Sequence, residues 1–275
     1  MLGRRLLTAV IGIPITIYII DFGGWLFAAA ILILSLIAWH EFYAMLRNKK
    51  INIFLNVGYV IIFLLLGCAW LGNSQEVIMT IIFTLIYCFI KMILSENKFT
   101  MADMAFSILG IIYIGLCFSH LLLLRYTDSS LYITTSLGSL PAGSGYLWLA
   151  FLGTWANDTF AYFIGSAFGR HKLCPDISPA KTIEGSLGGL AGSILAITLL
   201  GLLFKLPLSH SISMGILVGI VAPVGDLAES AVKRFAGVKD SGNILPGHGG
   251  ILDRFDSILF AVPVVYYYIH AFVLR

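Results

Sequence analysis

Long apolar runs separated by short polar or glycine-containing breaks dominate the chain. Runs near 6–20, 25–39, 52–72, 77–94, 104–124, 146–165, 185–204, 212–236 and 257–274 approach or reach the roughly 17–25 apolar residues a membrane-crossing helix needs. The breaks between them include Asp21-Phe22-Gly23-Gly24, Arg47-Asn48-Lys49-Lys50, Gly72-Asn73-Ser74-Gln75-Glu76 and Ser95-Glu96-Asn97-Lys98. A longer break, Arg125 to Gly145, contains Ser136-Leu137-Gly138-Ser139-Leu140-Pro141 and is expected to be flexible. The pattern predicts an all-α, polytopic integral membrane protein of about nine transmembrane helices. The first two runs are short, so they either draw on flanking residues or form a helical hairpin.

Charge sharpens this layout. Basic residues near helix ends collect on the cytoplasmic side. With nine spans and a cytoplasmic N-terminus, all but Arg125, Lys205 and Arg275 of the 17 Lys and Arg residues fall inside. Merging the first two runs into one helix reverses everything downstream and worsens the split. Composition agrees, because hydrophobic residues make up 59% and charged residues only 11%, against roughly 25% charged in a soluble domain. Disorder, collagen, coiled coil and a disulfide-stapled secreted domain are excluded. Cys68, Cys88, Cys117 and Cys174 form no C-x-x-C pair, so neither zinc nor redox chemistry is indicated. Residues 1–125 are expected to be a scaffold of about five helices, and 146–275 a catalytic region of about four.

An ionisable group at membrane depth costs roughly 2.5–3.5 kcal/mol on insertion scales and is functional by default. Asp158 and Asp226 interrupt otherwise apolar spans, and Asp226, Glu229, Ser230 and Lys233 share one helix face. The alternative is a structural Asp–Lys pair. A stripe of Gly185, Gly188, Gly189 and Gly192 suits close helix packing or room for a lipid chain. From Lys233 to Asp256 the chain becomes densely polar, with Arg234, Lys239, Asp240, His248, Asp253 and Arg254. Positive-inside bias accounts for the lysines and arginines there but not for the acids. Gly247, Gly249 and Gly250 would let backbone N–H groups approach an anion. Asp253 and Asp256, three apart on an entering helix, can converge on a hard cation such as Mg²⁺. Acids for a metal beside cations for phosphates suit phosphoryl-type transfer. The loop Gly169–Gly185 contains Ser178, Lys181, Thr182 and Glu184 before a helix N-terminus that could seat a phosphate.

The run from Ser230 to Asp256 resembles the signature of the phosphatidate cytidylyltransferases. Its pattern is Ser-x-apolar-Lys-Arg, four residues, Lys-Asp, and then apolar-Pro-x-His-Gly-Gly-apolar-x-Asp-Arg-apolar-Asp, met here at every fixed position. Asp158-Thr159-Phe160-Ala161-Tyr162-Phe163 and the block Ser178 to Gly185 are similar to two further family blocks. The chain departs from the family at Ala180, often basic there, and at Ile183, often Trp.

The resemblance implies that CTP and phosphatidate give CDP-diacylglycerol and pyrophosphate with Mg²⁺, for which Mn²⁺ could substitute and to which a second ion could be added. It implies Asp226, Asp253 and Asp256 as metal ligands, and Lys233, Arg234, Lys239 and Arg254 as cations for the phosphates. His248, Gly249 and Gly250 would position phosphate or base, and Asp240 would orient Lys239 or bind a second ion. Asp158, Ser178, Lys181, Thr182, Glu184 and Ser230 would complete the substrate site. It also implies a plasma-membrane enzyme working at the cytoplasmic face among membrane lipids, without nucleic acid, and makes a homodimer a reasonable expectation. An ion-coupled transporter is the main rival, since such proteins also carry intramembrane carboxylates, but paired interruptions in two related halves are not found. The Asp-Gly…Ala-Arg pattern of CDP-alcohol phosphotransferases is absent as well.

Overall fold

Hydropathy of this kind folds into helices because no other open structure satisfies its own backbone in lipid. In a computed structural model, which describes residues 2–95, 98–128, 130–136, 138–244, 247 and 249–274, the described residues form nine helices. They are α1 (Leu2–Phe22), α2 (Gly24–Arg47), α3 (Leu55–Trp70), α4 (Ser74–Leu94), α5 (Met101–Arg125), α6 (Ala142–Phe168), α7 (Ile183–Leu203), α8 (Leu208–Ala236) and α9 (Leu252–Val273). Six of these, α2, α4, α5, α7, α8 and α9, are long and apolar enough to cross a membrane. The apolar stretch of α1 (Gly12–Phe22) and α3 are shorter, and α6 carries Thr154, Asn157 and Asp158 in its middle. Large apolar side chains on α4, among them Phe83, Ile93 and Leu94, are exposed, as a lipid-facing helix requires.

Local chemistry sets the helix ends. Gly23, at φ 62°, alone separates α1 from α2, and both short runs draw on flanking residues to reach helices of 21 and 24 residues. Thr100 and Asp103 form a reciprocal capping box at the start of α5. Thr182 caps α7, its Oγ1 accepting from the Gly185 N–H at 3.1 Å.

Two short hairpins join the helices. Tyr132–Thr135 (β1) pairs antiparallel with Gly138–Pro141 (β2), so the break expected to be flexible is folded. Four-residue strands fall below what hydrophobic alternation can signal. Lys172–Cys174 (β3) pairs with Ser178–Thr182 (β4), with Lys172 opposite Thr182.

The described chain divides into two compact units, with the boundaries falling inside α5, α8 and α9. The first comprises residues 1–123 and Lys233–Arg254, so the charged signature belongs with the N-terminal helices. Its core is aromatic. Trp39, Phe42 and Phe54 are buried, and Trp39 donates its indole N–H to the Leu55 carbonyl at 2.9 Å. Helix α5 changes to a π turn over Ile111–Leu116.

The second unit comprises Leu124–Val232 and Phe255–Arg275. Here α6 and α7 pack backbone to backbone along the glycine stripe. A side chain at Gly189 would meet the Asn157 carbonyl at 2.9 Å, and one at Gly192 the Phe160 ring at 2.7 Å. The stripe therefore serves helix contact rather than space for an acyl chain. Pro223 lies inside α8 and has no N–H to give the Gly219 carbonyl four residues earlier. The buried Asn157 supplies that bond from α6, its Nδ2 donating at 3.1 Å.

Candidate active site

The polar residues form one group in each unit. In the second unit, the β3–β4 hairpin delivers Lys181 beside the N-terminus of α7. Its ammonium pairs with Asp226 Oδ2 of α8 at 2.5 Å, and Ser230 Oγ donates to Asp226 Oδ1 at 3.3 Å. Both partners of the pair are partly open, with side chains 24% and 30% exposed. Asp158, Tyr162, Lys181, Thr182, Ser186 and Asp226 line a cavity of about 400 Å³, large enough for a small polar ligand. Helices α8 and α9 touch just beside it. A Cβ on Gly225 would lie 2.5 Å from the Asp256 carbonyl, so Asp226 and Asp256 flank the point of backbone contact.

Glu184 faces elsewhere. Its carboxylate accepts from the Arg170 and His171 N–H groups, at 3.1 and 3.2 Å, and meets His171 Nδ1 at 2.6 Å. It locks the start of the hairpin to the first turn of α7 rather than lining the cavity. Ser178 opens β4 opposite Cys174.

In the first unit, the signature folds around a second acid–lysine pair. Gly237, at φ 75°, ends α8, its N–H reaching the Arg234 carbonyl at 3.1 Å. Lys233 Nζ donates to Asp253 Oδ1 at 2.7 Å, with side chains only 12% and 5% exposed. Asp253 Oδ2 accepts from Ser241 N at 2.9 Å, Ser241 Oγ at 2.8 Å and Gly250 N at 2.8 Å. Gly249, at φ 87°, cannot be replaced here, because a Cβ would stand 2.5 Å from Asp253 Oδ2. Arg234, Lys239, Asp240 and Arg254 are exposed around this buried knot. His248 lies outside the described residues.

Several expected pairings therefore resolve differently. Asp226 and Lys233 share a helix face, but Asp226 pairs with Lys181 and Lys233 with Asp253, each pair lying within one unit. The Gly250 N–H, expected to face a ligand anion, faces the protein's own Asp253. Among the described residues no three His, Cys, Asp or Glu side chains gather as a metal cradle.

The sequence reading missed one member of the site. Glu41 of α2 is buried and accepts from the Ile251 N–H at 2.9 Å, the Leu252 N–H at 3.0 Å and Ser241 Oγ at 3.3 Å. It occupies the N-terminus of α9, where free N–H groups and the helix dipole favour a negative charge. The signal was present, since Glu41 is a lone carboxylate at the edge of the apolar run from Trp25 to Trp39. The rule that marked Asp158 and Asp226 applies to it equally.

Each unit thus holds a lysine–carboxylate pair, one beside a cavity of about 400 Å³ and the other among the exposed cations Arg234, Lys239 and Arg254. Residues 3–272 match the cytidylyltransferase family. The chain is 36% identical to a phosphatidate cytidylyltransferase of Synechocystis, over 97% of this chain and 96% of that one. It is 32% identical to that of Bacillus subtilis, over 98% of both. It is 38% identical to that of Staphylococcus haemolyticus, over 95% of this chain and 96% of that one. With the match running through both units and the whole signature, the chain belongs to the cytidylyltransferase family.

Proposed function

We propose that this protein transfers the cytidylyl group of CTP to phosphatidate, giving CDP-diacylglycerol and pyrophosphate. A phosphate oxygen of phosphatidate attacks the α-phosphorus of CTP in line. The new P–O bond forms as the α–β phosphoanhydride bond breaks, and pyrophosphate leaves. No enzyme nucleophile is needed, so the protein's task is positioning and charge neutralisation. The observation that carries the reading is the open Lys181–Asp226 pair at the wall of the 400 Å³ cavity. It joins a cation for phosphate to an acid for a metal within a lipid-facing helix bundle. The ring of Arg234, Lys239 and Arg254 would draw the triphosphate from cytosolic water, and phosphatidate would enter sideways from the bilayer.

Mg²⁺ commonly takes one or two protein carboxylates and completes its shell with water and phosphate oxygens. Asp226 and Asp256, flanking the α8–α9 contact at Gly225, fit that requirement. Asp253 fits it less well, because it is almost out of solvent and held by four donors from Lys233, Ser241 and Gly250, whereas Asp226 is 30% exposed. We therefore assign the metal to Asp226 and Asp256, and give Asp253 the task of holding Lys233. A bound Mg²⁺ would neutralise the triphosphate and the leaving pyrophosphate. Lys181, at the cavity wall, would supply the cation for a substrate phosphate.

The test is purified protein in detergent with phosphatidate, radiolabelled CTP and Mg²⁺, beside Asp256→Asn. Labelled CDP-diacylglycerol from the native chain alone is the expected result. Product from both would remove Asp256 from the metal site. Product from neither, with folded protein, would sink the reaction and bring forward a transporter, which releases no pyrophosphate.

A further inference from the structure

Helix α2 lies in the half of the chain that looks like scaffold, yet it carries a carboxylate into the middle of the signature. Glu41 is 4% exposed, and its two oxygens receive the first backbone N–H groups of α9 and the hydroxyl of Ser241. The loop leaves no room beside it. A Cβ on Gly242 would stand 2.6 Å from Glu41 Oε1, and one on Gly250 2.5 Å from the same atom. Ser241 also donates its backbone N–H to Asp253 at 2.9 Å, and Asp253 in turn holds the Lys233 ammonium at 2.7 Å. Glu41, Ser241, Asp253 and Lys233 thus form one continuous chain of contacts, all inside the first unit. A buried carboxylate is costly to place in an apolar helix and is retained only where it is fully hydrogen-bonded. The donors to Glu41, from Ser241, Ile251 and Leu252, all belong to the signature segment, 200 or more residues away in sequence.

We propose that Glu41 is a positioning residue for the transfer reaction. It clamps Ser241 and the start of α9 at Ile251 and Leu252, and through Ser241 and Asp253 it sets where Lys233 stands. The proposal rests on the cytidylyl-transfer reading for its kinetic consequence, though not for the clamp itself. A group that orients the holder of a charged side chain acts mainly on the bound complex, so its loss lowers kcat while leaving substrate affinity almost intact.

The experiment uses the full-length chain in detergent, comparing native protein with Glu41→Gln, Glu41→Ala and Ser241→Ala. It measures kcat, KM for both substrates, melting temperature and amide exchange of residues 249–253. Glu41→Gln keeps the volume and one acceptor oxygen, so it folds even where Glu41→Ala does not. The expected result is a kcat lower by about 10–100-fold, the range seen when supporting partners of a site are removed. KM should stay within threefold, the melting temperature close to native, and amide exchange at 250–252 should accelerate. A kcat within twofold of native for Glu41→Gln overturns the proposal. So does a loss of activity that follows only the folded fraction, since that would be a structural role. If the native chain itself makes no CDP-diacylglycerol, the reaction reading fails. In that case unchanged amide exchange in Glu41→Gln would overturn the clamp separately.

Discussion

The two acid–lysine pairs are made of the same side chains and are held in opposite ways. Asp226 meets Lys181 at a cavity wall, and about a quarter to a third of each side chain is exposed. Ser230 adds a long bond to the other Asp226 oxygen. Asp253 meets Lys233 almost out of solvent, and three further donors saturate its second oxygen. An exposed pair is worth at most about 1 kcal/mol and exchanges partners readily. Removing one member of a buried pair costs about 3–5 kcal/mol, because the survivor is left charged and unsolvated. The first pair is therefore suited to handing its members to a substrate, and the second to staying as it is. Identical chemistry, buried to different degrees, leaves one pair open to exchange and holds the other in place.

That contrast breaks most sharply at Asp253. Asp253→Ala should destabilise the protein by about 3–5 kcal/mol and abolish activity, with thermal melting in detergent as the readout. A melting temperature equal to native would remove the distinction. Asp226→Asn should leave melting almost unchanged while lowering turnover by about 10²–10³-fold, the scale for a lost electrostatic group in a site. Initial rates beside a melting curve separate the two pairs directly. Next in size is Gly249→Ala, where a left-handed backbone and the 2.5 Å approach to Asp253 should cost about 1–3 kcal/mol. The matching change beside the open pair, Ala180→Ser, should melt as native does. Smallest is Glu184→Gln. Its His171 partner is 75% exposed, so the melting temperature should stay close to native and turnover should change by less than threefold.

The helices were legible because hydropathy is a local property, and each apolar run became one helix. The density of charge between Lys233 and Asp256 marked the signature for the same reason. Partnership was not legible. Asp226 and Lys233 face the same way on α8, and nothing local says that one lysine would come from a hairpin near residue 181 and the other would turn to residue 253. Glu41 was visible as a lone carboxylate, but its partners were not, because two of its three donors are backbone N–H groups, which every sequence contains. The hairpin at 132–141 was hidden by strands of four residues each, in a stretch rich in serine and threonine.

The bond from Asn157 to the Gly219 carbonyl has a mechanical meaning. A proline inside a helix ordinarily creates a hinge, since the carbonyl it leaves behind can bend toward any donor. Here the donor is a single buried amide on another helix, so the joint is pinned at one angle. Asp226 lies three residues beyond Pro223, about 4.5 Å along the axis, and works as the short arm of a lever whose pivot has been fastened. Unfastening it, as Asn157→Leu would do, should let that arm swing on the microsecond-to-millisecond timescale of helix motions. The carboxylate would then sweep past its substrate instead of waiting for it.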